Sequence, residues 1–451
     1  MSAYASFAFT RRAIDGRRIR LGYALGGGER GDRVELEETL DLPESLGPLA
    51  DPGSPAVRRA LVGLHLAAGT SYWKTFIPAD LRIDDAELSS DDAAFWSSVY
   101  TLGMAEFFYK NGIDPRGRAP FGATRAEAAP APAVAGDGPW LLLWGGGKDS
   151  VVSHEVLAAA GEPHELLTIG RGEWAWPRRA AEVAGATLHV VERRLDEKLF
   201  ALNAAGARNG HVPVNAYLAF AGTLIAQLTR RRGVIASNEA SASAGNAVWH
   251  GIDVNHQWSK SLAFERLFRA WLRRNLDPAP EYFSLLRPLS ELRIVRAFAS
   301  HPEYFGAVTS CNANFAQSGP AANRWCLRCP KCVFVAAMAR PWLDDRAYHA
   351  LLGGDPLSDP ANVSTLEELL GITGTKPFEC VGTPEEMIAA LYLAHEAGRP
   401  LSHGAATAFG RHAAAKYPDL ETTAAGAMAR SDDHELPPTL LEGLDAYLRR
   451  R

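Results

Sequence analysis

The chain has 451 residues, 47% of them hydrophobic and 22% charged, with a formal net charge of −5. Such a length holds two or three domains that each bury a core, and the balance of residue types excludes a disordered or fibrous chain. The mildly acidic charge gives no general electrostatic ground for binding nucleic acid, and no window approaches the ~18 apolar residues that begin to suggest a membrane span.

The first residues, MSAYASFAFTRRAIDGRRIR, lack the apolar stretch and small-residue cleavage site of a signal peptide, so the cytoplasm is the expected compartment. Residues 1–122 mix strand-like runs such as RIRLGYAL with helical patterns and are read as an N-terminal α+β domain. One helical pattern, DDAAFWSSVYTLGMAEFFYKNG, ends at Asn111-Gly112. Residues 123–139, ATRAEAAPAPAVAGDGP, are rich in Ala and Pro and read as a linker or exposed loop.

From Trp140 short apolar runs alternate with helical stretches: WLLLW, SVVSHEVLAAAG, HELLTIG, TLHVVE, VNAYLAFAGTLIAQLTRR, GVIAS. That rhythm predicts a buried, doubly wound, mostly parallel α/β sheet over residues 140–345. Ligands in such sheets bind beyond the carboxyl ends of the strands, here Gly145–Ser150 and Ser237–Asn246. Residues 346–451 read as a helical C-terminal region, and the last fifty carry no evident chemistry.

The segment WLLLWGGGKDSVV runs an apolar strand into three glycines and then a helix. A Walker loop would need Gly at Leu142 and a hydroxyl at Asp149, so that reading fails. The segment instead resembles the Ser-Gly-Gly-x-Asp-Ser loop of the ATP pyrophosphatases, with Gly145 in the place of the first Ser. That resemblance implies cleavage of ATP between its α- and β-phosphates and an adenylated substrate. Backbone amides at Gly145, Gly146 and Gly147 suit pyrophosphate, Ser150 can donate to it, and Asp149 suits Mg²⁺. An unliganded glycine turn is the bland alternative.

There are five cysteines: Cys311, Cys326, Cys329, Cys332 and Cys380. Three stand in a Cys-x2-Cys-x2-Cys run, with Cys311 fourteen residues ahead of it, a spacing that closes a tetrahedral zinc site. Iron–sulfur ligation uses similar spacings, and Cys311 is either a ligand or an active-site thiol. A zinc-ribbon nucleic-acid module would need a basic surround that the segment lacks. Only 8 of the 47 basic residues are lysine, and four of those, Lys148, Lys260, Lys331 and Lys376, lie in the chemically distinctive segments. In so Arg-biased a chain, Lys marks places where a compact charge matters.

The segments NGHVPVNA, SNEASASAGN, NHQWSKSLAFE and LLRPLSELR are rich in polar residues and fall at predicted sheet ends or helix starts. Ser237, Asn238, Glu239 and Lys260 are candidate nucleotide contacts. His211, Asn215 and Arg287 are candidate substrate contacts, with Tyr72 and Lys74 from the N-terminal region. Each has a local alternative, such as an N-cap at Asn215 or Ser259. For Cys380, in KPFECVG, the alternative is an ordinary buried cysteine.

Together these motifs resemble the UDP-N-acetyl-α-D-muramoyl-L-alanyl-L-glutamate epimerase family. The likeness runs in order from AAGTSYWKTFIP and EFFYKNG through GGGKDS, NGHVPV, SNEASAS, NHQWSK and YFSLLRPLSEL to SCNANF, RWCLRCPKCVFV and KPFECVG, about residues 60–385. It implies an ATP- and Mg²⁺-dependent epimerase that adenylates the terminal carboxylate of UDP-MurNAc-L-Ala-L-Glu and exchanges the α-proton. Hydrolysis then gives the D-glutamyl product, AMP and pyrophosphate. It also implies a peptidoglycan pathway containing an L-glutamate-adding ligase. Cys380, Cys311, His256 and His211 are the candidates for proton transfer, with Cys380 and His256 preferred, and Lys148 and Asp149 serve activation. Two alternatives remain at this stage: another adenylate-forming enzyme, such as a modified-nucleobase synthase, or a non-enzymatic ATP- and zinc-binding protein.

Overall fold

The apolar runs after Trp140 become strands because each can be covered on both faces. The computed structural model describes residues 4–28, 32–119, 121–171, 175–314, 323–373, 376–399 and 401–450. Nine strands form one sheet: β1 (Ser6–Asp15), β2 (Arg18–Gly26), β3 (Val34–Asp41), β4 (Asp80–Ile83), β5 (Trp140–Leu143), β6 (His164–Gly170), β7 (Leu188–Arg194), β8 (Gly233–Ala236) and β9 (Glu281–Ser284). Their spatial order is β9-β8-β5-β6-β7-β3-β2-β1-β4. The run from β9 to β7 is parallel throughout. The expected α/β architecture with a large, mostly parallel sheet is therefore present.

The helices that build or support the site are α1 (Pro55–Trp73), α2 (Ala105–Lys110), α3 (Lys148–Ala159), α4 (Val214–Thr229), α5 (Leu262–Asn275), α6 (Glu291–Phe298), α7 (Pro330–Ala339) and α8 (Pro384–Glu396). Successive strand residues face opposite cores. Leu141, Leu167 and Val234 pack with α1, α4 and α5, whereas Leu142, Leu166 and Ile235 pack with α3, α6, α7 and α8. This double burial explains why the strands read as continuous apolar runs.

Residues 1–122 extend the same sheet. β3 pairs antiparallel with β7, Thr39 opposite Arg194, Leu40 opposite Arg193 and Asp41 opposite Glu192. At this seam the buried Glu38 accepts two bonds from Arg193, at 2.8 and 3.0 Å. The Arg193 guanidinium lies 3.8 Å from the ring centre of Tyr217 on α4. The Ala/Pro-rich stretch is mostly exposed but pinned, since Ala131–Pro132 pairs in parallel with Leu276–Asp277. The C-terminal region is helical, and its last helix, Pro438–Leu448, packs into the second core. Among the described residues no helix is long and apolar enough to cross a membrane.

The chain passes from β5 outward to β6 and β7, then returns to the other side of β5 as β8. The switch point is thus between β5 and β8, where an open α/β sheet forms its crevice. The glycine loop follows β5, and the segment SNEASASAGN follows β8.

Candidate active site

Gly146 adopts φ +67°, and a Cβ there would lie 2.6 Å from the Cα of Pro177, so backbone and space both demand glycine. A Cβ at Gly145 meets nothing within 4 Å, so the side chain that the resemblance puts there would fit. Gly147 is the N-cap of α3 and no side chain caps that helix. The first amides of α3 therefore lack a capping partner at the positive end of the helix dipole. Ser150 donates to the Gly147 carbonyl at 3.0 Å. Ser153, one turn on, donates to Ser237 at 2.8 Å and ties α3 to the loop after β8.

Lys148 is 3% exposed and donates to Asp149 Oδ1 at 2.5 Å and to Glu291, the first residue of α6. Glu291 also faces Lys331 Nζ at 3.6 Å, and Lys331 donates to the carbonyl of Cys380. Glu386 accepts the amide of Glu291 at 2.7 Å and that of Thr383 at 2.7 Å, joining the starts of α6 and α8. Burial and then the charge of Glu291 push Glu386 up to about 7. A Cβ at Gly382 would lie 2.0 Å from Glu386 Oε2, so this arrangement requires glycine there. Burial lowers Lys260, but Cys380, Glu239, Asp149 and Glu291 together outweigh it and raise that lysine. Burial keeps Lys376 below the usual lysine range in spite of Glu386, Glu239, Cys380 and Glu291. The four lysines that stood out in the sequence thus surround one group of carboxylates and one thiol.

That thiol is Cys380. Burial alone would push it up, but Lys260, a hydrogen bond with His256, and Lys331 bring it down to about 6. Burial would lower His256, yet Cys380 and Glu106 raise it to about 9. Glu106 meets His256 Nδ1 at 2.5 Å and His211 Nδ1 at 3.5 Å, and the two rings lie 4.6 Å apart. Burial, His256 and Lys74 hold His211 down to about 4. At neutral pH the set is therefore thiolate, imidazolium and neutral imidazole.

The ligand atoms of Cys311, Cys326, Cys329 and Cys332 all lie within 4.8 Å of one another. The sulfur of Cys332 is 3.7 Å from that of Cys326 and 3.4 Å from that of Cys329. Sulfurs of a tetrahedral zinc site at 2.3 Å stand about 3.8 Å apart, so the set fits a metal ion. Backbone amides of Cys326 and Cys329 donate to the sulfurs of Cys311 and Cys326, at 3.4 and 3.3 Å. The chain between Cys311 and this run, from Phe315 at the end of SCNANF to residue 322, lies outside the described residues.

Other candidates take different places. Arg287 is 1% exposed, and its donors go to the carbonyls of Glu239 and Lys260, both at 2.5 Å, and to Glu265 at 3.1 Å. It fastens the loops that carry Glu239 and Lys260. Asn238 donates to Ser284 at 2.9 Å, which joins β8 to β9. Tyr72 is fully buried and stacks on Tyr23 at 4.5 Å, inside the first core. Lys74 donates to Asn209 and to the Gly210 carbonyl, beside the His211 segment, and burial lowers it to about 8. Neither Asn215 nor Ser259 is an N-cap: Pro213 precedes α4, and Ser261 caps α5. Glu106, Glu291 and Glu386 were not singled out from sequence. The only available signal was a carboxylate inside an apolar run, as in MAEFF around Glu106.

A thiol and an imidazole ringed by lysines thus lie beside the switch point of an α/β sheet, where enzymes of this architecture hold their ligands. Family models described as the MurL N-terminal domain and the MurL C-terminal domain match residues 1–285 and 307–421. A UDP-N-acetyl-alpha-D-muramoyl-L-alanyl-L-glutamate epimerase of Xanthomonas oryzae is 36% identical over 98% of this chain and 97% of its own length. Proteins of the same name are 40% identical in Salinispora tropica, over 83% of this chain and 81% of theirs, and 39% identical in a Micromonospora strain, over 83% of each. The chain belongs to this epimerase family and is an isomerase. No solved structure matches it.

Proposed function

We propose that the protein inverts the glutamate α-carbon of UDP-MurNAc-L-Ala-L-Glu at the expense of ATP, giving the D-glutamyl precursor for peptidoglycan synthesis. The observation that carries this reading is the meeting of two devices at the β5–β8 crevice: an uncapped glycine-loop helix start, and a Cys380–His256 pair coupled to it through Lys331 and Glu291.

The chemistry explains why both are needed. The α-proton of a carboxylate is scarcely acidic, because its removal places a second negative charge beside the first. A carboxylate oxygen attacks the α-phosphorus of ATP and pyrophosphate leaves, so the acyl adenylate no longer carries the carboxylate charge. The loop amides of Gly145–Gly147 and the side chains of Lys148 and Lys260 supply positive potential for the departing pyrophosphate. Asp149 and its neighbours are suited to hold a magnesium ion, which when bound neutralises phosphate charge. The Cys380 thiolate takes the α-proton, and the His256 imidazolium gives a proton to the other face. The resulting thiol and imidazole re-form the ion pair while water splits the acyl adenylate into D-carboxylate and AMP.

Purified protein incubated with ATP, Mg²⁺ and UDP-MurNAc-L-Ala-L-Glu is expected to release AMP and pyrophosphate and to yield D-glutamate on chiral analysis. L-Glutamate alone, while ATP is consumed, sinks the proposal. In deuterated water the Cys380→Ala variant is expected to lose α-hydrogen exchange by about 10²-fold or more. Exchange at the normal rate removes Cys380 from the proton transfer.

A further inference from the structure

The N-terminal segment, which the activation chemistry does not use, sends one carboxylate into the site. Glu106 stands in the first turn of α2, where acidic residues ordinarily face water and complement the helix dipole. Here it is only 8% exposed, with its carboxylate on His256 Nδ1 at 2.5 Å and His211 Nδ1 at 3.5 Å. With Nδ1 committed to Glu106, the other ring nitrogen of His256 is left for Cys380. The backbone fixes the spacing of these two partners. The His256 amide donates to Asn246 Oδ1 at 3.0 Å, and Asn246 Nδ2 donates to the Pro377 carbonyl at 2.9 Å, three residues before Cys380.

We infer that Glu106 is a positioning residue of the epimerisation: it orients His256 and keeps it charged, so that Cys380 stands as a thiolate. The N-terminal segment thereby completes the acid/base site. The inference rests on the proposed reaction for its purpose, and on the contact of Glu106 with His256 and the Asn246 bridge to the Cys380 segment for its geometry.

The surrounding charges bear on this directly. Lys260, Lys331 and Lys376 face Cys380, and His256 acts with Lys260 and Lys331 to favour the thiolate against burial. Glu106 and His211 face His256, and Lys74 faces His211. Glu106 is thus the carboxylate that partners the imidazolium. An amide in its place keeps the size and an acceptor but removes the charge. His256 then gives up its proton at lower pH, and Cys380 keeps its proton to higher pH.

The test is the pH dependence of Cys380 alkylation by iodoacetamide in the full-length protein, resolved by peptide mass spectrometry. In the wild type, half-maximal reactivity is expected well below the pH of about 8.5 at which a free thiol ionises. Glu106→Gln is expected to raise that midpoint by about one pH unit or more, and to lower kcat roughly tenfold with little change in KM. Glu106→Asp, which keeps the charge, is expected to bring the midpoint back toward wild type. A Glu106→Gln midpoint equal to wild type overturns the inference. So does an ordinary thiol titration in the wild type, a measurement that needs no folded variant. A shifted midpoint in a protein that epimerises nothing overturns the proposed reaction and leaves the Glu106–His256–Cys380 coupling standing.

Discussion

At the residue scale, the pair Cys380–His256 sets a pH window. In the proposed reaction the reactive form is the thiolate, populated above about 6, together with the imidazolium, populated below about 9. The two protons belong to a coupled pair, so the limbs of a rate profile report the pair as a unit. For epimerisation, kcat/KM is expected to rise as pH passes through about 6, hold a plateau, and fall beyond about 9. A rate that climbs without a break to pH 10, measured as initial D-glutamate formation, rules out the ion pair as the working state. Cys380, His256 and Lys260 were legible in the sequence because each is an uncommon residue in a distinctive polar segment. Glu106, Glu291 and Glu386 were not. All three lie in first turns of helices, where an acidic residue serves the dipole in any protein, so sequence cannot separate a local role from a long-range one.

At the element scale, the cysteine cluster and α7 are one device. Cys329 is the N-cap of α7 and Cys332 sits in its first turn, with Lys331 between them reaching the Cys380 carbonyl. A metal held by the four sulfurs would therefore fix the start of the helix whose Lys331 reaches the segment bearing the thiol. Purified protein is expected to contain one zinc per chain by elemental analysis. Chelation is expected to lower its Tm by several degrees or more, because binding free energy at such a site is folding free energy. Iron with visible absorption in place of zinc would identify a cluster instead. Protein that is metal-free as isolated and unaffected by chelators removes the metal from the account. The spacing of the cysteines announced this device. Its connection to Cys380 was hidden, since nothing in CPKC says which way its lysine turns.

At the scale of the whole molecule, the N-terminal residues and the parallel half of the sheet share a core and a ladder. Deleting residues 1–122 would strip β3 from β7, leave Arg193 without Glu38, and expose the face of α4 that packs on α1. The fragment 123–451 is expected to be insoluble or molten, as judged by recovery in the soluble fraction and near-UV circular dichroism. A well-folded fragment would show that the two parts are independent. The parallel half of the sheet was readable from its apolar runs. The join was not, because VELEETLD, the sequence of β3, alternates as an edge strand does and carries no sign of the partner it finds.

The scarcity of lysine has a practical side. Of the eight lysines, only Lys110, Lys198 and Lys416 are exposed, while Lys148, Lys260, Lys331 and Lys376 are enclosed around the thiol and its carboxylates. Amine-directed reagents, whether fluorophores, biotin esters or a coupling surface, will attach at these three lysines and the α-amine before they reach the lysines around the thiol. The chain comes with its own masking group.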